Sequence, residues 1–152
     1  MSVSQQSNHS RPETSQNTGL IYVLWFKIFV TLTLWAIPSL VLPESFIVSL
    51  GIPVNQSIIY VRLLGAAYLA LLVGYVAGVK RVQTGKDVEH IIWAGIVSNG
   101  LASLLLFLYG VLGSYTEWLP LGQLYMWLSA VLTLIITVGL LWTGVFKKSK
   151  DS

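Results

Sequence analysis

The sequence predicts an all-α membrane protein built as a four-transmembrane-helix bundle. Three observations lead there. The 152 residues are 55% hydrophobic and 10% charged, where a typical soluble domain carries charge at roughly a quarter of its positions. Four apolar runs, at about 20–42, 58–79, 91–113 and 121–146, each reach the roughly 20 residues that cross a hydrocarbon core. The lysines and arginines of the connecting segments are confined to alternate segments, as they are in multi-pass proteins. A soluble bundle would need polar outer faces at helical spacing, and runs such as 100–113 (GLASLLLFLYGVLG) have none.

Taken in order, the first 19 residues are rich in Ser, Gln and Asn and read as a disordered cytoplasmic tail. No basic segment leads directly into a short apolar core with a cleavage site, so the first span is expected to remain in the mature protein. Pro38 removes a backbone donor and should bend that span near its outer end. The following loop, 43–57 (PESFIVSLGIPVNQS), is less polar than most loops. Its Phe46, Ile47, Val48, Leu50 and Ile52 suit a cap on the bundle, or alternatively a gating element.

The second span carries small residues at fourfold spacing, Ala66, Ala70, Gly74 and Gly78, widened by Gly65 and Ala67. Helices in lipid associate through close packing and hydrogen bonds, so this row is a candidate packing face, within the chain or between copies. The third span offers Gly95, Asn99 and Ser103 at the same spacing; the fourth offers Ser129, Thr133 and Thr137. Residues 147–152 form a short basic tail. Lys80, Arg81 and Lys86 lie in the 80–90 loop, Lys147, Lys148 and Lys150 at the C-terminus, and Arg11 near the N-terminus. The loops 43–57 and 114–120 contain none. Both termini and the middle loop should therefore face the cytoplasm. This bias also accounts for the net charge of +3, so a nucleic-acid partner is not expected. Tyr22, Trp25, Tyr60, Trp93, Tyr115, Trp118, Tyr125 and Trp142 fall near span ends, where an aromatic belt belongs.

Few residues can carry chemistry. Arg62 lies about one turn inside the outer end of the second span and must snorkel or find a partner. Glu44 and Glu117, in the two outer loops, are its candidate partners. The alternative is an outer-mouth site for an anionic or carbonyl-bearing ligand. Lys27 lies about two turns inside the first span. Its stem can carry the ammonium to the headgroups; buried in the bundle it would mark a proton or substrate path. Asn99 is the best interior polar candidate, although asparagine at that depth commonly joins helices. With no cysteine, thiol catalysis and zinc–thiolate sites are excluded. His9 lies in the N-terminal tail and His90 at the inner surface, so no histidine pair can hold a transmembrane haem, and neither an HExxH motif nor a mid-membrane carboxylate pair occurs. A small multidrug exchanger has a carboxylate in its first span where this chain has Lys27. No cofactor and no catalytic residue are expected.

The stretch Arg62-Leu-Leu-Gly-Ala-Ala-Tyr-Leu-Ala-Leu-Leu-Val-Gly-Tyr75, with the Pro43…Leu50-Gly-Ile-Pro53 loop before it, resembles the DoxX-like and BphX-like four-helix membrane proteins. The resemblance implies a bacterial inner-membrane protein, with Arg62 as the arginine that opens the second span. Some DoxX relatives are membrane partners of redox enzymes that deliver electrons to quinone. It transfers no catalytic motif. The leading expectation is a non-enzymatic accessory or binding subunit for a membrane partner or a lipidic ligand. Alternatives are a small-solute carrier or channel acting as a homo-oligomer, and a lipid- or quinone-modifying protein whose chemistry a partner supplies.

Overall fold

The computed structural model describes residues 14–52 and 57–146. The expected tails therefore lie largely outside the described residues, but the first helix begins at Thr14, so residues 14–19 are helical. The chain is all-α: α1 (Thr14–Val30), a π-helical turn (Thr31–Ala36), α2 (Ile37–Val41), α3 (Glu44–Ser49), α4 (Ile58–Gln83), α5 (Glu89–Val111), α6 (Pro120–Leu140) and a terminal π-helical turn (Leu141–Phe146). Four continuous segments are long and apolar enough to cross a membrane: Thr18–Val41, Ile58–Gln83, Glu89–Val111 and Pro120–Phe146.

Pro38 sets the shape of the first span. It offers no N–H to the Leu34 carbonyl four residues back. The helix answers by widening just before it: the Ile37 N–H bonds to the Leu32 carbonyl, five residues back. The Leu34 carbonyl is taken up from another span, by the Tyr125 hydroxyl at 2.6 Å. The bend expected from Pro38 is thus a π-bulge with an identifiable cause.

The first span is the centre of the bundle. It packs along α4 on one side and α6 on the other, while α5 lies along α6. Since lipid is as apolar as leucine, close contacts and hydrogen bonds hold these pairs. Trp35 Nε1 donates to Ser129 Oγ (3.0 Å) and Ser103 Oγ to the Ala130 carbonyl (3.1 Å). Gly95 lies under Leu140, and Gly65 under Ser39 and Leu40, where a Cβ would sit 2.7 and 2.8 Å from the nearest side-chain atom. By contrast α4 and α5 approach each other chiefly beside their connecting turn, where Gly78 meets Ile91. They diverge above it.

Of the 43–57 loop, residues 43–52 and 57 are described, and residues 43–52 lie over one end of the bundle. Leu42 takes the extended backbone that Pro43 requires of it, and α3 follows. Ile47 is buried while Phe46 and Val48 are exposed. Two glycines dock this segment onto the start of α6. Gly51 has φ +78° and lies against the backbone of Trp118 and Leu119, and a Cβ on Gly122 would collide with the Leu50 carbonyl.

Candidate functional site

Each span turns one stripe toward a common interior. The first contributes Lys27, Thr31 and Trp35, one turn apart. α4 contributes Leu64, Tyr68, Leu71 and Tyr75; α5, Asn99, Ala102 and Leu106; α6, Tyr125, Ser129 and Thr133. Together they enclose a cavity of about 340 Å³, within the size range of small-molecule sites. It runs from Lys27 to Leu42 along the first span, about 20 Å at 1.5 Å per residue. Its shape is long and narrow.

The two ends differ. At the lower end, toward the termini, Lys27, Tyr75, Ser98, Asn99 and Thr133 form a polar floor. Below the floor Leu24, Val79, Ile136 and Leu140, none more than 2% exposed, close the bundle. At the upper end Leu42, Ile47, Leu50 and Ile52 form an apolar lid. Between these ends the wall is incomplete: Leu64 and Leu71, which line the cavity, remain 50% and 42% exposed. The opening follows from the divergence of α4 and α5. The site is therefore closed below, lidded above and open sideways, toward the depth that lipid tails occupy.

Most polar groups around the cavity are already engaged. Trp35 bonds Ser129, Tyr125 bonds the Leu34 carbonyl, and Thr133 donates to the Ser129 and Ala130 carbonyls. Asn99 Nδ2 donates to the Gly95 carbonyl at 2.7 Å, and Ser98 Oγ lies 3.4 Å from the Tyr75 hydroxyl. Lys27 is different. It is 3% exposed, and its Nζ lies 4.2 Å from the centre of the Tyr75 ring. Among the described residues no Asp or Glu lines the cavity. A cation over a tyrosine face gains on the order of 2 kcal/mol when desolvated. Taking the ammonium out of water costs several kcal/mol. The ring contact alone does not balance that cost.

The sequence candidates separate accordingly. Lys27 and Asn99 come together at the cavity floor, and Lys27 does not snorkel. Arg62 does not join them. Its guanidinium donates to the Ser39 and Leu42 carbonyls, each at 2.6 Å, so it caps the end of the first span and leaves Glu44 and Glu117 exposed at the surface. In the packing row Ala66, Ala70 and Gly74 face outward, with no neighbour within 4 Å of a Cβ placed on Gly74. Only Gly78 of that row is buried, and the close approach falls instead at Gly65. Gly95 and Ser103 do pack against α6, as do Ser129, Thr133 and Thr137 from the other side. Tyr115 and Tyr125 leave the aromatic belt: Tyr115 is buried and bonds the Leu106 carbonyl, and Tyr125 reaches the cavity.

Sequence reasoning passed over Thr31, Trp35, Tyr68 and Tyr75. A signal was present. Lys27, Thr31 and Trp35 recur every four residues, and Tyr68 and Tyr75 are seven apart on one helical face. No protein family, curated protein or solved structure matches the chain.

Proposed function

We propose that this chain is a multi-pass protein of the bacterial inner membrane, with both termini cytoplasmic, that holds a lipidic ligand inside its bundle. In this reading it is a non-enzymatic binding or accessory subunit. One observation carries it: a long, mainly apolar cavity that is shut toward the termini and open sideways between α4 and α5. A molecule dissolved in the bilayer reaches such a site without crossing water, whereas a solute from the aqueous phase meets a lid at one end and a packed core at the other. The orientation rests on the lysine and arginine bias of the loops. The DoxX-like and BphX-like resemblance of the second span agrees with this setting and assigns no chemistry.

The test is to fill the cavity. Ala102 is small and faces it from α5. Native mass spectrometry of the wild-type protein, released from gentle detergent, should show a bound lipid, and Ala102→Phe should lose it while remaining folded by circular dichroism. Retention of the same adduct by Ala102→Phe would refute binding in the cavity. A second protein at fixed stoichiometry would identify the subunit role.

One observation favours the carrier alternative: Lys27 and Asn99 share a single cavity. Transport would require the floor below Lys27 to open. In that case Asn99→Leu should abolish flux into proteoliposomes; unchanged flux would end the carrier reading.

A further inference from the structure

We infer that the ligand of this cavity is a single-chain amphiphile with a monovalent carboxylate, seated head-down with the carboxylate on Lys27. The inference rests on the proposed lipid-binding reading and adds the headgroup to it. Three features of the site support it.

The first is charge. A cation buried among membrane helices pairs with an anion or a set of carbonyls. Arg62 follows that rule within this chain. Lys27 does not: its partner among the described residues is the Tyr75 ring, and none of those lining the cavity is acidic. The missing charge is a single negative one, and the cavity is the open space beside the ammonium. The second is the hydrogen-bonding set. Thr31, one turn above Lys27, is 4% exposed and lines the cavity beside it. Together the ammonium and the hydroxyl present donors to one small acceptor group. A phosphate, with more charge and more acceptor oxygens, is ordinarily met by arginine forks or several backbone amides. This floor offers neither. The third is shape. About 340 Å³ spread over about 20 Å accommodates one extended chain rather than two. The apolar wall and lid above Lys27 place that chain toward Ile47 and Leu50. The sideways opening lets it enter from the bilayer.

The experiment uses the full chain in nanodiscs of neutral lipid and measures equilibrium retention of three probes with one tail: dodecanoate, dodecanol and dodecyl phosphate. Wild type should retain dodecanoate saturably, at one per chain, and more tightly than the other two. Lys27→Met should weaken dodecanoate by at least about tenfold, the scale of one charge-assisted hydrogen bond, and dodecanol much less, so that the preference for the charged head is lost. Circular dichroism checks that the variant is folded, and Lys27→Arg should restore most of the dodecanoate affinity. Equal retention of dodecanoate and dodecanol, or no loss in Lys27→Met, overturns the headgroup assignment and leaves lipid binding standing. Tighter retention of dodecyl phosphate overturns the carboxylate class. Retention of none of the three overturns the lipid-binding reading itself.

Discussion

Arg62 and Lys27 both sit on apolar helices, yet the chain treats them in opposite ways. Arg62 reaches two carbonyls at the end of the first span, where Pro43 forbids the helix to continue, and those carbonyls would otherwise face lipid unpaired. Cation and acceptors satisfy each other, and a helix end is fastened to its neighbour. Lys27 sits deeper, among a tyrosine ring, hydroxyls and the cavity, with no anion among the described residues of its wall. The first arrangement is complete in the isolated chain. The second is complete only with something added. Membrane helices carry buried charge at a cost, so the contrast separates a residue satisfied within the fold from the one on which the proposed ligand would sit.

The comparison breaks most visibly at Arg62. Arg62→Ala should destabilise the bundle by roughly 2–4 kcal/mol, because it removes two charge-assisted hydrogen bonds and leaves two carbonyls without partners. Unfolding in mixed micelles of increasing denaturing-detergent fraction measures this. Arg62→Lys should recover only part of the loss, since an ammonium lacks the planar fork that spans two acceptors. A loss below about 0.5 kcal/mol for Arg62→Ala would show the cap to be unimportant.

At Lys27 the sign should reverse. Replacing an uncompensated buried charge by an apolar side chain of similar length is commonly neutral or stabilising. Lys27→Met should therefore leave stability unchanged or raise it by about 1–2 kcal/mol in the absence of ligand. Ligand retention should fall at the same time. Destabilisation by more than about 1 kcal/mol in the same micelle assay would place Lys27 with Arg62, as a structural residue.

The fold was far more legible than the site. Four apolar runs, interrupted by charge only at Lys27 and Arg62, have one solution in lipid, and the helices follow from hydropathy alone. Which stripe of each helix meets which neighbour does not. Ala66, Ala70 and Gly74 satisfy the small-residue pattern that packs membrane helices, but α4 turns them outward and approaches the first span at Gly65 instead. That rotation is fixed by Arg62 reaching Ser39 and Leu42, a contact between segments that no local pattern encodes. Lys27 illustrates the same gap. Its stem is long enough to snorkel, and only the position of α4 beside the first span determines that it lies over Tyr75 instead. Tyr125 looked interfacial because it lies near a helix start, yet it serves a carbonyl that Pro38 leaves unpaired in a different span.

That last pairing gives a smaller and more pointed test. Tyr125→Phe should cost about 1–2 kcal/mol by orphaning the Leu34 carbonyl. In a Pro38→Ala background the helix regains its own donor at position 38, and the same Tyr125→Phe change should then cost close to nothing. A cost equal in both backgrounds would mean that Tyr125 acts through ring packing and that the π-bulge has another cause.

The smallest expected effect lies on the cavity wall, where helix packing and the proposed ligand site overlap. Trp35 Nε1 bonds Ser129 Oγ across the bundle at 3.0 Å, and both residues line the cavity. Hydrogen bonds between membrane helices average about 0.6 kcal/mol in double-mutant cycles. The coupling between Trp35→Phe and Ser129→Ala should be of that size, because the unfolded helices also find partners in the membrane. The consequence for binding should be no larger than the consequence for stability. Ser129→Ala leaves an indole N–H facing the cavity with no acceptor, about two turns above Lys27. A carboxylate seated on Lys27 lies too deep to reach it, so dodecanoate retention should change less than twofold, under about 0.4 kcal/mol, while Lys27→Met in the same assay abolishes the preference for a charged head. If Ser129→Ala instead strengthens dodecanoate binding as much as Lys27→Met weakens it, the headgroup sits at Trp35, and the polar floor is a structural feature like the Arg62 cap.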